Sequence, residues 1–238
     1  MKKNSLIILP GSMCDRWAYR DQIQALAGDH EIEVPHLLAE SSLEAMADAV
    51  IKDAPSKFAL MGHAMGGRVA LEIIRCVPQR VNALALIATT VHPIRDGEAV
   101  RRQTQIDMAH TAGMIALATD WLPRVLHPKH VADTAMMRGL IEMYARFTPA
   151  DYEREVRALL QRPDPRPVLS TVTCPTLVLS GANDVLCTPA QSTALAAQIP
   201  SASVVILEEC AHFPTVEQPQ ATTQHLLQLL RAAQGAGT

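Results

Sequence analysis

The sequence predicts an α/β chain, a mainly parallel, doubly wound sheet with a helical segment inserted between two of its strands. Short continuous apolar runs such as Leu6 to Leu9 and Val81 to Ala88 recur, the pattern of strands covered on both faces. Stretches with helical spacing alternate with them. From Pro93 to about Pro167 the alternation stops and only helical spacing remains. A chain of 238 residues can bury one full core, so residues 1–92 and 168–238 are read as one core and 93–167 as a lid inserted in it.

Composition narrows the function classes. A hydrophobic fraction of 48% with 19% charged residues is globular, and disorder is expected only in the tail AAQGAGT. The formal charge of -3 supplies no field that would gather nucleic acid or an anionic membrane, so neither partner is expected. Cys14, Cys76, Cys174, Cys187 and Cys210 are odd in number and lack C-x-x-C spacing, which fits a reducing compartment. After Met1-Lys2-Lys3 the apolar run Leu6 to Leu9 falls short of the roughly 7–15 residues of a secretory core, so a cytoplasmic location is expected.

In chain order, Leu6 to Leu9 reads as a strand stopped by Pro10-Gly11, Trp17 to Ala27 as a helix, and Glu31 to Val34 as a weaker strand. Ser41 with Glu44 forms an expected capping box for a helix over Leu43 to Lys52. Phe58 to Met61 is the third strand. A helix follows the next turn and ends at Pro78, and Val81 to Ala88 is a further strand. The lid divides into helices over roughly Glu98 to Trp121, Lys129 to Phe147 and Pro149 to Gln161. Pro175 to Leu179 and Ser203 to Leu207 read as strands, with helices from Pro189 to about Ile199 and from Gln218 to Ala232.

The informative stretch is Gly62-His63-Ala64-Met65-Gly66-Gly67, between a strand and a helix. A Cβ at Gly62 or Gly66 would meet backbone there, and the residue between them is pushed out above the sheet. That presented residue is Ala64. The frame is G-x-S-x-G with the serine replaced.

GHxMGGRVALE closely resembles the nucleophile turn of the α/β-hydrolase superfamily. The resemblance extends from Leu6 to Leu230 and implies the α/β-hydrolase fold, with chain order nucleophile, acid, histidine. Ala64, Asp184 and His212 keep that order. Asp184 in GANDVLCTP resembles the family's acid turn, although capping of the following helix or turn is a structural alternative. His212 in LEECAHFPTVEQP is similar to the family's histidine segment, with Ala211 where glycine is usual. The other eight histidines read as lying in loops, lid or helices without such a setting. Pro10-Gly11-Ser12 stands where the family has a His-Gly pair, which implies backbone N–H groups of Ser12 and Met65 as the oxyanion hole. The Ser12 hydroxyl is either a third donor or part of a tight turn.

The lid methionines Met108, Met114 and Met143 are candidate pocket residues, with Met136 and Met137 as further ones, and packing onto the sheet is the alternative for each. Arg124, Arg102 and Arg146 are candidate contacts for a substrate carboxylate. Cys14 lacks a base spaced for it, and His127 with His130 lacks an accompanying carboxylate motif, so no metal is expected. No G-x-G-x-x-G is present, and no cofactor is expected.

The resemblance thus implies a serine hydrolase of a small carboxylic ester or amide, acting through a Ser-His-Asp triad, with this chain a Ser→Ala inactive variant at position 64. Two other readings accompany it. A native Ala64 makes the chain a receptor-like binder of a small molecule, or a cofactor-free lyase or C–C hydrolase working through His212.

Overall fold

The computed structural model describes residues 3–235. Its elements run β1 (Asn4–Leu9), α1 (Arg20–Leu26), β2 (His30–Glu33), α2 (Leu43–Asp53), β3 (Phe58–His63), α3 (Met65–Cys76) and β4 (Val81–Ile87). The helices α4 (Glu98–Trp121), α5 (Pro128–Val131), α6 (Thr134–Tyr144), α7 (Pro149–Leu160) and α8 (Arg166–Leu169) follow. The chain then returns through β5 (Thr176–Gly181), α9 (Pro189–Ala196), β6 (Ala202–Leu207), α10 (Pro214–Glu217) and α11 (Pro219–Gly235).

The six strands form one sheet in the order β2-β1-β3-β4-β5-β6, and every ladder is parallel. The central strands β3 and β5 are buried at every position because each face has its own core. Ile7, Leu9, Leu60, Leu84, Leu86 and Val178 pack with α2, α3 and α9. Their neighbours Leu6, Ile8, Met61, Ala85, Ile87 and Leu179 face the opposite way, toward α1, α11 and the helices between β4 and β5. The loops that leave β1, β3, β5 and β6 open along one edge, beyond the carboxyl ends of the strands, the usual place for a ligand in an open α/β sheet.

Several boundaries differ from expectation for identifiable reasons. The cap of α2 is Ser42, whose side chain accepts from the Ala45 N–H at 3.1 Å, one residue later than the expected box with Glu44. The segment expected as one helix over Lys129 to Phe147 breaks at Asp133, which accepts from the N–H groups of Ala135 and Met136 and restarts the chain as α6. The stretch from Trp17 begins as a 3-10 turn over Arg16–Tyr19, fixed by Asp15 accepting from Trp17 N–H. In α4, Gly113 (φ 85°, ψ 169°) interrupts helical geometry and bends the longest helix between β4 and β5. The tail expected to be disordered is helical through Gly235, and residues 236–238 lie outside the described residues.

The tightest constraint is where β3 turns into α3. A Cβ on Gly66 would overlap the Leu9 carbonyl of β1, and one on Gly62 would overlap the backbone of Gly66 and Gly67. Gly66→Ala is therefore expected to cost more than about 3 kcal/mol, seen as a large fall in the urea midpoint. Gly28→Ala, with nothing within 4 Å of the added atom, should stay within about 0.5 kcal/mol.

Candidate active site

The turn between β3 and α3 holds Ala64 at φ 50° and ψ -109°, a region that residues with a Cβ avoid. The surrounding structure enforces it. Ala64 N–H donates to the Ile87 carbonyl at 2.9 Å, and the Ala64 carbonyl accepts from Gly67 N–H at 3.2 Å. Met65 is the first residue of α3, so its N–H has no acceptor within the helix. Ser12, on the loop after β1, has a backbone N–H with no acceptor among the described residues. Ser12, Ala64, Met65 and His212 line one cavity of about 540 Å³ between the sheet edge and the helices that join β4 to β5.

Behind His212 lies Asp184, 3% exposed. His212 Nδ1 and Asp184 Oδ2 are 2.9 Å apart, and the other carboxylate oxygen accepts from Leu186 N–H at 2.8 Å and Cys187 N–H at 2.9 Å. Burial alone would raise this carboxyl; His212 and the two backbone donors outweigh it and hold the carboxyl below its ordinary range. The carboxylate thus closes the turn after β5 and also orients the histidine. Thr188, not Asp184, caps α9. An ionised acceptor at Nδ1 keeps the proton there and leaves Nε2 as a base.

His63 is a cavity-lining position that sequence reasoning missed. It ends strand β3, not a loop, and is 1% exposed. Its Nε2 lies 2.9 Å from the His212 carbonyl, which can only accept, so Nε2 carries the proton. Nδ1 then accepts from the Tyr19 hydroxyl at 3.1 Å, and that hydroxyl oxygen accepts from Gly11 N–H at 2.9 Å. Burial first, then the nearby His212, lowers His63 to about 4, so the ring is neutral at physiological pH. One neutral imidazole therefore ties the loop after β1 to the loop carrying His212. The available signal was its place in the Gly62 to Gly67 frame.

Glu155, on α7, was also missed. Its Oε2 accepts from the Ser12 hydroxyl at 2.6 Å and from Met13 N–H at 3.0 Å. The hydroxyl is thereby committed to the Glu155 carboxyl and is not a third donor to the cavity. Burial raises Glu155 to about 7, with both donors opposing the shift. A charged residue on the buried stripe Tyr152, Glu155, Val156, Leu159 was the signal in the sequence.

Of the candidate pocket residues, Met108 and Arg124 line the cavity. Met114 (6% exposed) and Met143 (0%) do not, because the apolar faces of α4 and α6 that carry them are packed into the core. Met136 and Met137 pack against that same core. Arg102 lines the cavity, whereas Arg146 pairs with Asp15 outside it. Burial pushes the thiols of Cys14 and Cys187 up, the latter to about 12, so neither is a ready thiolate. His130 is bound to Glu217 at 3.0 Å, and no cluster of three or more metal-ligating side chains occurs among the described residues. No helix there is long and apolar enough to cross a membrane.

This architecture has known counterparts. The model of the alpha/beta hydrolase family matches residues 6–224, and the chain belongs to that family. It is 26% identical over 205 residues to the pimeloyl-[acyl-carrier protein] methyl ester esterase of Nitrosomonas europaea, covering 80% of each chain. It is 29% identical over 169 residues to 3-oxoadipate enol-lactonase 2 of Acinetobacter baylyi, covering 67% of this chain and 58% of that protein. Among solved structures, a thermophilic esterase from Thermogutta terrifontis superposes with a TM-score of 0.87 at 24% identity, over 98% of this chain and 91% of the other.

The buried Glu155 carboxyl makes a signed prediction. A folded-state value near 7, above the ordinary carboxyl value, means the native state binds the extra proton, so its stability falls as pH rises toward 7. Between about pH 5 and pH 8 the native chain should lose on the order of 2 kcal/mol relative to Glu155→Gln, measured by urea unfolding at each pH. Parallel profiles would contradict the assignment.

Proposed function

We propose that this is the site of a hydrolase of small carboxylic esters or amides whose nucleophile position is occupied by Ala64. The observation that carries the reading is the Asp184–His212 pair at 2.9 Å, on the same cavity as a residue held in a strained elbow. Two of its relatives are named as a methyl ester esterase and an enol-lactonase, and esters and lactones both carry an acyl carbon open to attack.

In the serine form, the substrate carbonyl oxygen would sit against the N–H groups of Ser12 and Met65. The hydroxyl at position 64 attacks the carbonyl carbon and His212 Nε2 takes its proton. Negative charge then develops on the carbonyl oxygen, where two fixed donors are worth most. His212 returns the proton to the leaving oxygen or nitrogen, while Asp184 keeps the ring in place. Water repeats the sequence on the acyl-enzyme. The segment 93–167 acts as the lid that shapes the acyl pocket.

Ala64 removes the nucleophile and leaves the donors, the base and the cavity. The chain as written therefore binds substrate and does not form an acyl-enzyme. A second reading is favoured by the intact His212–Asp184 bond: with no hydroxyl to activate, Nε2 can activate a water for direct attack.

Ala64→Ser should gain activity toward small p-nitrophenyl esters by up to about a million-fold in kcat, and His212→Ala should abolish it. No turnover by Ala64→Ser across an ester, amide and lactone panel would overturn the proposal. A His212-dependent rate already present in the Ala64 chain, and not raised by serine, would assign the chemistry to activated water.

A further inference from the structure

At one end of the cavity, beyond Ala64, five arginines gather around a single carboxylate. Arg68, Arg95, Arg101, Arg102 and Arg162 line this end, with Glu98 among them. Glu98 is already engaged. Its two oxygens accept from Arg162 at 2.7 and 2.8 Å, one also accepts from Arg95 N–H at 3.1 Å, and Arg102 lies 4.0 Å away. Asp164 acts on Arg68 from a distance, but it is held at the surface by Arg166. The positive charge here exceeds the negative charge available to answer it.

Arg68 is the centre of this surplus. It lies four residues beyond Ala64 on α3, about 6 Å along the helix. Arg68 is 6% exposed, and among the described residues its guanidinium makes two hydrogen bonds, both from Nη2, to the His92 carbonyl at 2.8 Å and to Thr90 Oγ1 at 3.3 Å. Nε and Nη1 have no partner among the described residues, and no carboxylate pairs with the group. Burial, then the neighbouring Arg162, pulls Arg68 down to about 10, the shift of a cation lacking its counter-ion. Buried guanidinium groups are ordinarily paired, because taking the charge from water is costly otherwise. Arg95 and Arg101 also make no side-chain hydrogen bond or ion pair among the described residues, and both are exposed at the mouth of this end.

We infer that the arginine end of the cavity is a carboxylate subsite, with Arg68 as its buried anchor, and that the substrate is a short-chain ester or amide whose acyl part ends in a free carboxylate. The inference deepens the hydrolase reading by naming its substrate class. The scissile carbonyl lies between Ala64, Ser12 and Met65. The far carboxylate meets the charged Arg68 guanidinium through the N–H groups on Nε and Nη1 that Thr90 and His92 leave free. Arg101 and Arg95 draw the anion toward the mouth. Half-esters of short dicarboxylic acids have this shape, whereas neutral diesters leave Arg68 unanswered.

Binding to the Ala64 chain tests the subsite without relying on turnover. Calorimetry should be run with monomethyl glutarate and dimethyl glutarate, two ligands of nearly the same shape that differ by one charge. The half-ester is expected to bind about tenfold or more tightly, and added salt should narrow the gap. Arg68→Met should erase the preference, with its Tm followed to check that it folds. Arg101→Gln, an exposed and unpaired position, should narrow the preference several-fold in a protein of unchanged Tm. Inorganic phosphate should compete more weakly than glutarate.

Equal affinities for the two esters, no binding of the half-ester at millimolar concentration, or a preference unchanged in both variants would overturn the subsite. Phosphate competing more strongly than glutarate would overturn its assignment to carboxylate. The hydrolase reading fails separately: Ala64→Ser that binds the half-ester selectively but never cleaves it leaves the subsite standing. Ala64→Ser that cleaves both esters equally leaves the hydrolase standing and removes the subsite.

Discussion

The close approach of α3 to the sheet is the constraint on which the rest of the site depends. Gly66 lies against the Leu9 carbonyl so tightly that no side chain fits, and Gly62 packs on the backbone of the next turn. That contact forces the intervening residue to φ 50°. It also brings the first N–H of α3 level with the loop after β1. Positions 12, 64 and 65 are thus fixed relative to one another by backbone packing. Arg68 follows one turn later, its distance from the elbow set by helix geometry.

A second layer of polar contacts holds the loops around this elbow. Gly11 N–H, the Tyr19 hydroxyl, His63 and the His212 carbonyl form one buried chain. Glu155 fastens Ser12 and Met13 to α7, and His212 N–H donates to the Val125 carbonyl, in the segment between β4 and β5, at 3.0 Å. Buried polar networks of this kind are stable only when each member has a partner. The loop after β1 therefore depends on the sheet, the helices between β4 and β5 and the His212 loop together. Rigidity there matters to the proposed reaction, because oxyanion donors act through prior alignment.

Much of this was legible in the sequence. Strands covered on both faces show unbroken apolar runs, and the Gly62 to Gly67 frame announced a crowded strand-to-helix turn with Ala64 at its tip. Asp184 and His212 stood directly after strands, so their meeting followed from the topology. What was not legible depends on distance or on facing. Glu155 meets Ser12 across 143 residues, and no local pattern names such a partner. Helical spacing located the lid methionines but did not show that Met114 and Met143 turn to the core while Met108 reaches the cavity. Arg68 is one polar position in a largely apolar helix, with no local signal of a role. Only the assembled cavity shows that its charge is unanswered. Asp133 was different, since a capping residue inside an expected helix is a local signal that could have been used.

The central claim is that position 64 is the nucleophile position of an acyl-transfer site served by His212. Its most direct test is the intact mass of Ala64→Ser after exposure to a fluorophosphonate, with peptide mapping of the adduct. The account predicts one stoichiometric phosphonyl adduct on residue 64, absent from the Ala64 chain and from the Ala64→Ser, His212→Ala protein. No adduct on the serine form, or an adduct on another residue that appears equally in the Ala64 chain, would contradict it.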